Sequence, residues 1–263
     1  MIREIKKRLF GDKTSLDDQF RKMGFTALSE KTENDVYIMG YPKSGTTLMK
    51  VIVGYLAYGI TKPVDINLMH QLVTEEYNFP YYLRLGERHF FKNHELPKKE
   101  YKNVIYCIRD GRDAILSYYH MLKNTGKSDL RISDLYQSDG KTPFGNWNEH
   151  VQSWLDNPFD SNIIFIKYED MLTDKVKEIE GLASFLGIEN YDAKLIAELT
   201  SFESMRKMEN GIGWSRRKKL KKFEKGSFFV RKGKVGEYSA EVDGRVIDEF
   251  DTRNFQLLRK LGY

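Results

Sequence analysis

The chain has 263 residues, of which 40% are apolar, 13% aromatic and 31% charged, with six prolines and twenty glycines. That length suits one α/β domain with insertions, and the composition excludes a disordered, collagen-like or coiled-coil chain. Forty-three Lys and Arg against 38 Asp and Glu leave a net charge of +5, a mild excess that suits an anionic ligand at least as well as a polyanion.

The first thirty or so residues are polar and mixed. No apolar run reaches the roughly 18 residues of a membrane span. The opening MIREIKKRLF carries charge without an apolar h-region, so the expected address is the cytoplasm. Residues 35–40 (DVYIMG) read as a short buried strand. A turn, Tyr41-Pro42-Lys43-Ser44-Gly45, follows. Then Leu48, Val51, Ile52, Tyr55 and Leu56 recur with the spacing of one helix face. Strand, tight loop and helix in that order make a phosphate cradle. Glycine lets the backbone close around an anion, and the helix start offers unpaired N–H groups. Thr46 and Thr47 add hydroxyls. The loop departs from G-x-x-x-x-G-K-[ST]: Gly40 and Gly45 keep the spacing, but Thr46 stands where the lysine belongs and Lys43 lies inside the loop.

Phe79 to Tyr82, with Phe90, form an aromatic cluster that either lines an apolar acceptor pocket or belongs to the core. Residues 88–94 read as a strand, on which Lys92 and His94 share a face. Among the five histidines only His94 has a setting that suggests chemistry, and a neutral imidazole suits removal of a hydroxyl proton. His120 and His150 read as packing or capping residues. No His/Asp/Glu cluster has metal-ligand spacing, so no metal is expected. Val104 to Ile108 is a second strand. It contains Cys107, the lone cysteine, read as buried and inert; one thiol makes neither an internal disulfide nor a cysteine zinc site. Arg109 follows this strand, and Ser117 lies eight residues on in a helix spanning 113–121. The two either converge on one phosphate, or Arg109 pairs with Asp110 or Asp113. Arg112 reads as an ion-pair or surface residue.

Residues 162–167 (NIIFIK) form a third strand, and 174–186 its helix, stopped by Gly187. One helix is expected from 192 to about 208. Arg216 to Lys225 holds seven basic residues and one acidic, read as solvated surface or as a nucleic-acid or membrane contact, while the family resemblance given below implies a lid over a ligand. Phe229-Val230-Arg231-Lys232-Gly233 is a further basic motif. The closing helix spans about 246–261, with Phe250, Leu257, Leu258 and Leu261 as a docking stripe. Strands alternating with helices predict a parallel sheet flanked by helices, with ligands at the carboxyl ends of the strands.

Together these motifs resemble the PAPS-dependent sulfotransferases of the cytosolic type, PAPS being 3′-phosphoadenosine 5′-phosphosulfate. YPKSGTT at 41–47, Lys92-Asn93-His94, Arg109 with Ser117, FGNWNEHVQSW at 144–154, YEDM at 168–171, TSF at 200–202 and FVRKGKVGEY at 229–238 stand in that family's order. The resemblance covers roughly 36–238 and implies one domain over 1–263. It implies that Lys43 neutralises the oxygen bridging sulfate to the 5′-phosphate, and that Ser44, Gly45, Thr46 and Thr47 hold that phosphate. It assigns Arg109, Ser117, Arg231, Lys232 and Gly233 to the 3′-phosphate, and Tyr168, Thr200 and Phe202 to the adenine. His94 becomes the base, with Lys92 supporting charge beside it. The implied reaction moves a sulfuryl group from PAPS to a hydroxyl of a small molecule, lipid or sugar, releasing PAP, with no metal and no nucleic acid. The chain departs from the family at Leu48, where an aromatic is common, and at Gly236-Glu237-Tyr238, where GDW is usual. It has no clear copy of the Lys-Thr-Val-Glu dimer motif, so the oligomeric state stays open. A Mg-ATP-dependent small-molecule kinase on a P-loop fold is the alternative, disfavoured by Thr46 in the lysine position.

Overall fold

The computed structural model describes residues 16–77, 80–124, 129–210 and 233–263. Helix α1 (Leu16–Lys22) leads into β1 (Phe25–Ala27), a 3-10 turn and β2 (Val36–Gly40). Then come α2 (Thr46–Ala57), α3 (Ile66–Leu72), β3 (Val73–Glu75), β4 (Tyr81–Leu83), β5 (Phe90–Lys92) and β6 (Asn103–Ile108). Helices α4 (Gly111–Asn124), α5 (Ile132–Gln137) and α6 (Trp147–Asp156) precede β7 (Asn162–Lys167). Helices α7 (Tyr168–Thr173), α8 (Lys175–Leu186), α9 (Ala193–Leu199), α10 (Phe202–Asn210), α11 (Tyr238–Glu241) and α12 (Gly244–Leu261) complete the described chain.

Five strands form a parallel sheet in the order β3-β5-β2-β6-β7, while β1 and β4 make a separate antiparallel pair. Helices cover both faces of the parallel sheet, so its strands are apolar on both sides. Val36, Ile38, Ile105, Cys107 and Ile166 pack with residues of α2, α3, α8 and α9. Tyr37, Met39, Val104, Tyr106 and Ile108 pack against α4, α5, α6 and α12. The expected stripe Phe250, Leu257, Leu258, Leu261 is buried in this second layer.

The topology fixes where a ligand can enter. From β2 the chain runs toward β3 and β5, but from β6 it runs toward β7. The crevice between the carboxyl ends of β2 and β6 is therefore the switch point of the sheet, where loops diverge and leave room. Both the Lys43 loop and Arg109 leave from it.

Three expectations change. The helix anticipated over 192–208 is two helices, α9 and α10. Thr200 turns its hydroxyl back onto the Ile196 carbonyl (2.7 Å), and the Ser201 hydroxyl accepts from the Ser204 N–H (3.2 Å), starting a new helix with its own cap. The strand anticipated over 88–94 is only Phe90–Lys92: the Asn93 N–H still donates to the Ile38 carbonyl (3.1 Å), and the chain turns out of the sheet at His94. The aromatic cluster is divided: Tyr82 packs in the core against His89 and Phe91, Phe90 packs against Tyr58, and Tyr81 stacks on Phe20. Phe79 lies outside the described residues.

Candidate active site

The loop after β2 is built by close approach. A Cβ at Gly40 would sit 2.7 Å from the Cys107 carbonyl oxygen, so glycine lets β2 and β6 lie side by side up to the turn. Tyr41 is buried and its hydroxyl donates to the Gly140 carbonyl, anchoring the loop from below. Lys43 adopts a left-handed backbone (φ 74°), which costs a non-glycine residue about 1–2 kcal/mol. Ser44 is buried and donates its N–H to Tyr41 (3.1 Å). Gly45 (φ 93°) is the N-cap of α2, and a Cβ there would meet the Tyr168 ring at 2.7 Å. Thr46 and Thr47 open the helix, whose first-turn N–H groups have no intrahelical acceptor and stand at the positive end of the dipole.

Arg109, at the end of β6, is nearly buried. It donates to the Lys43 carbonyl (3.2 Å) and the Lys234 carbonyl (3.3 Å), and its guanidinium lies 4.6 Å over the Tyr168 ring. Its Nε is buried with no hydrogen-bond partner among the described residues. The ion-pair alternative is weakly met. Asp110 binds Arg112 (2.7 Å) instead, and Asp113 stands 3.8 Å from Arg109 while accepting the Gly236 (2.7 Å) and Tyr238 (3.2 Å) amides. Arg112 is the ion-pair residue the sequence suggested; it also reaches Asp251 at 3.0 Å.

His94 sits just past β5. Its Nδ1 is 2.7 Å from the Gly40 carbonyl oxygen, so Nδ1 carries the proton and donates it, leaving Nε2 with a lone pair. Burial, with the Lys92 ammonium second, pushes the imidazole down to about 3. Behind it the His150 Nε2–H donates to the His94 carbonyl (2.8 Å) and the Trp154 indole donates to the Glu95 carbonyl (3.2 Å), so His150 is a packing residue that braces this turn. Lys92 is buried, donating to Glu75 Oε1 (3.2 Å) and to the Tyr77 hydroxyl (3.1 Å). Lys50 donates to the same Oε1 at 3.0 Å. Burial alone would raise the Glu75 carboxyl, but Lys92 and then Lys50 hold it far below the usual range. Burial raises the Cys107 thiol to about 12, as suits an inert cysteine.

One cavity of about 500 Å³ joins these groups. Lys43, Gly45, Thr46, Thr47, Lys92, His94, Arg109, Ser117, Tyr168, Thr200, Phe202 and Gly233 all line it. Ser44 lies behind the loop, and Arg231, Lys232 and the basic run 216–225 fall outside the described residues. Phe202 covers Gly233: a Cβ there would come within 2.9 Å of its ring. The cavity also takes Phe144, from the FGNWNEHVQSW segment, and Lys50, His70, Glu75, Tyr77 and Lys175, which the sequence reading did not single out. Only Lys50 carried a signal, being a lysine among the apolar residues of α2. Lys175 donates to the Thr200 carbonyl at 2.8 Å. A buried, unsatisfied guanidinium nitrogen, a helix start and a lysine around one cavity suit a ligand with more than one anionic group.

The family described as "Sulfotransferase domain" matches residues 33–262. The chain belongs to the sulfotransferase family. Sulfotransferase 4A1 of Homo sapiens is 35% identical over 182 residues, 62% of this chain and 63% of that relative, so the match spans less than two thirds of its length. Sulfotransferase 1E1 of Bos taurus is 26% identical over 285 residues, covering 94% of this chain and 95% of the relative. The fold of this sulfotransferase-family chain matches a retinol dehydratase solved with androsterone and PAP. The TM-score is 0.71 at 19% identity, covering 87% of this chain and 81% of that one.

Proposed function

We propose that the cavity binds PAPS and transfers its sulfuryl group to a hydroxyl of a small-molecule acceptor. The observation that carries the reading is the pairing, around one cavity, of two cationic anchors with an imidazole whose Nε2 is free to accept: the Lys43 loop at the start of α2 and Arg109 at the end of β6. In this reading PAPS supplies the sulfuryl group, whose bond to the bridging phosphate oxygen breaks as a bond to the acceptor oxygen forms. The α2 amides, Gly45, Ser44 and the Thr46 and Thr47 hydroxyls hold the 5′ end. Arg109, Ser117 and Gly233, with Arg231 and Lys232, hold the 3′-phosphate. Tyr168, Thr200 and Phe202 receive the adenine. Lys43 stabilises the charge left on the departing oxygen, the task a fixed cation performs best in a water-poor site. His94 Nε2 takes the acceptor proton. Its depressed basicity comes from burial and from Lys92, and an anionic sulfonate beside Lys92 offsets the second cause and raises the imidazole toward its working range. The acceptor remains a small molecule, lipid or sugar hydroxyl, and the compartment the cytoplasm.

Labelled PAPS incubated with a panel of hydroxyl acceptors tests the reading, together with thermal unfolding in EDTA. PAP is expected to raise the melting temperature because it binds the folded chain only. Stabilisation by Mg-ATP and not by PAP would support a kinase in its place.

A further inference from the structure

The cavity wall carries a lysine that the transfer step above leaves without a task. Lys175 is the first residue of α8, directly after the Asp174 cap. Local preferences stand against a lysine there. A helix N-terminus is the positive end of the dipole and disfavours a cation. The Asp174 carboxylate accepts the Lys177 N–H (3.1 Å), and among the described residues no carboxylate pairs with the Lys175 ammonium. Burial draws its pKa below the usual lysine value, with no neighbouring charge to offset the shift. Among the described residues its one hydrogen bond runs to the Thr200 carbonyl (2.8 Å), so two of the three N–H donors are uncommitted. A residue that breaks local rules with so little structural return marks a functional position.

The neighbouring wall says what those donors could meet. Lys175 lines the cavity beside Leu172, Thr200, Phe202 and Met205. Leu172, Phe202 and Met205 have no side-chain donor. Thr200 brings acceptors alone: its N–H (3.0 Å) and its hydroxyl (2.7 Å) both donate to the Ile196 carbonyl, while its own oxygens keep lone pairs. Ammonium and carbonyl together set a donor beside an acceptor on an otherwise apolar stretch of wall. A phosphate would meet the Thr200 oxygens as well as the ammonium, and both phosphates already have cationic anchors in the Lys43 loop and Arg109. Adenine offers the complement: an exocyclic amine that donates, flanked by the acceptors N1 and N7.

We propose that Lys175 reads the base: its ammonium, held by the Thr200 carbonyl, donates to N1 or N7 of the adenine while the 6-amino group donates to Thr200. This rests on the PAPS reading and deepens it by assigning a specificity residue to the nucleotide end of the site.

The test measures, by calorimetry, the Kd of PAP and of its 1-deaza and 7-deaza analogues, in which a C–H replaces one ring nitrogen. The native chain is expected to bind one of the two analogues about tenfold or more weaker than PAP, the loss expected for a hydrogen bond from a charged donor. In Lys175→Met and Lys175→Ala, PAP itself weakens by about as much and that analogue-to-PAP ratio falls near one. A lysine that only stiffened the α8 start would weaken all three ligands alike and leave the ratio unchanged. Lys177→Met removes the same charge from an exposed neighbour and is expected to keep the native ratio. Circular dichroism melting reports that each variant is folded, and either folded Lys175 variant suffices. Both analogues binding the native chain as tightly as PAP, an unchanged ratio in a folded Lys175 variant, or a ratio lost equally in Lys177→Met overturns the proposal. PAP binding without discrimination overturns this inference alone; a native chain that does not bind PAP overturns the PAPS reading and this inference with it.

Discussion

His94 is available as a base because its other nitrogen is committed: Nδ1 donates to the Gly40 carbonyl, which fixes both tautomer and ring plane. His94→Ala is expected to lower transfer by about 100- to 10,000-fold while PAP still raises the melting temperature nearly as in the native chain. Lys43→Ala is expected to damage both, since on the proposed reading Lys43 would both help hold the phosphate and stabilise the charge on the departing oxygen. Steady-state rates beside PAP thermal shifts separate the two cases, and a His94 variant with most of its activity left would give the proton to another residue. The single residues that could be read from the sequence are those whose chemistry is local, such as a lysine inside a glycine loop or an arginine directly after a strand. Glu75 and Lys50 were not legible as a site. Their meaning lies in a contact between residues 25 positions apart, which exists only once β3 lies beside β5 and α2 packs above them.

Among the elements, β2 and β6 were legible as runs of apolar residues buried on both faces, and β7 from the four apolar residues Ile163 to Ile166, although at the sheet edge it is only partly buried. Strand β3, with three residues, is too short for any period to register and was not legible, while β5 was read over 88–94 but spans only Phe90–Lys92. The 192–208 region failed for a different reason: its apolar spacing continues through Thr200 and Ser201, while the Thr200 hydroxyl joins its own N–H on the Ile196 carbonyl and the Ser201 hydroxyl caps a new helix. The start of α2 is the least tolerant point of the framework. Gly45→Ala would force a Cβ against the Tyr168 ring and hold alanine at φ 93°. A loss of about 1–3 kcal/mol in urea unfolding is expected, together with a weaker PAP thermal shift. An alanine variant as stable as the native chain would show that Tyr168 is free to move.

For the molecule as a whole, three imidazoles are held neutral by burial first: His89 at about 4, His150 at about 4 and His94 at about 3. In the unfolded chain each binds its proton near pH 6.5, so unfolding takes up protons and stability falls as the pH drops from about 6.5 toward 4. Linkage sets an upper bound of about 2 kcal/mol per imidazole at pH 5. Urea midpoints at pH 7.5, 6 and 5 should decline in step, and a flat series would mean that these rings are wetter than their surroundings suggest. The stretch from Asn93 to Lys102 carries the chain from β5 past β2 to β6, with His94 at its beginning. It is riveted on one flank by Gly40 and on the other by His150 and Trp154. The imidazole thus sits on a strap held between the half-sheets, and α6, none of whose residues lines the cavity, sets its pitch. Trp154→Phe keeps the filler but drops one rivet, and turnover is expected to slacken while the grip on PAP persists. Tuning speed apart from hold is a freedom this architecture grants to a helix outside the cavity.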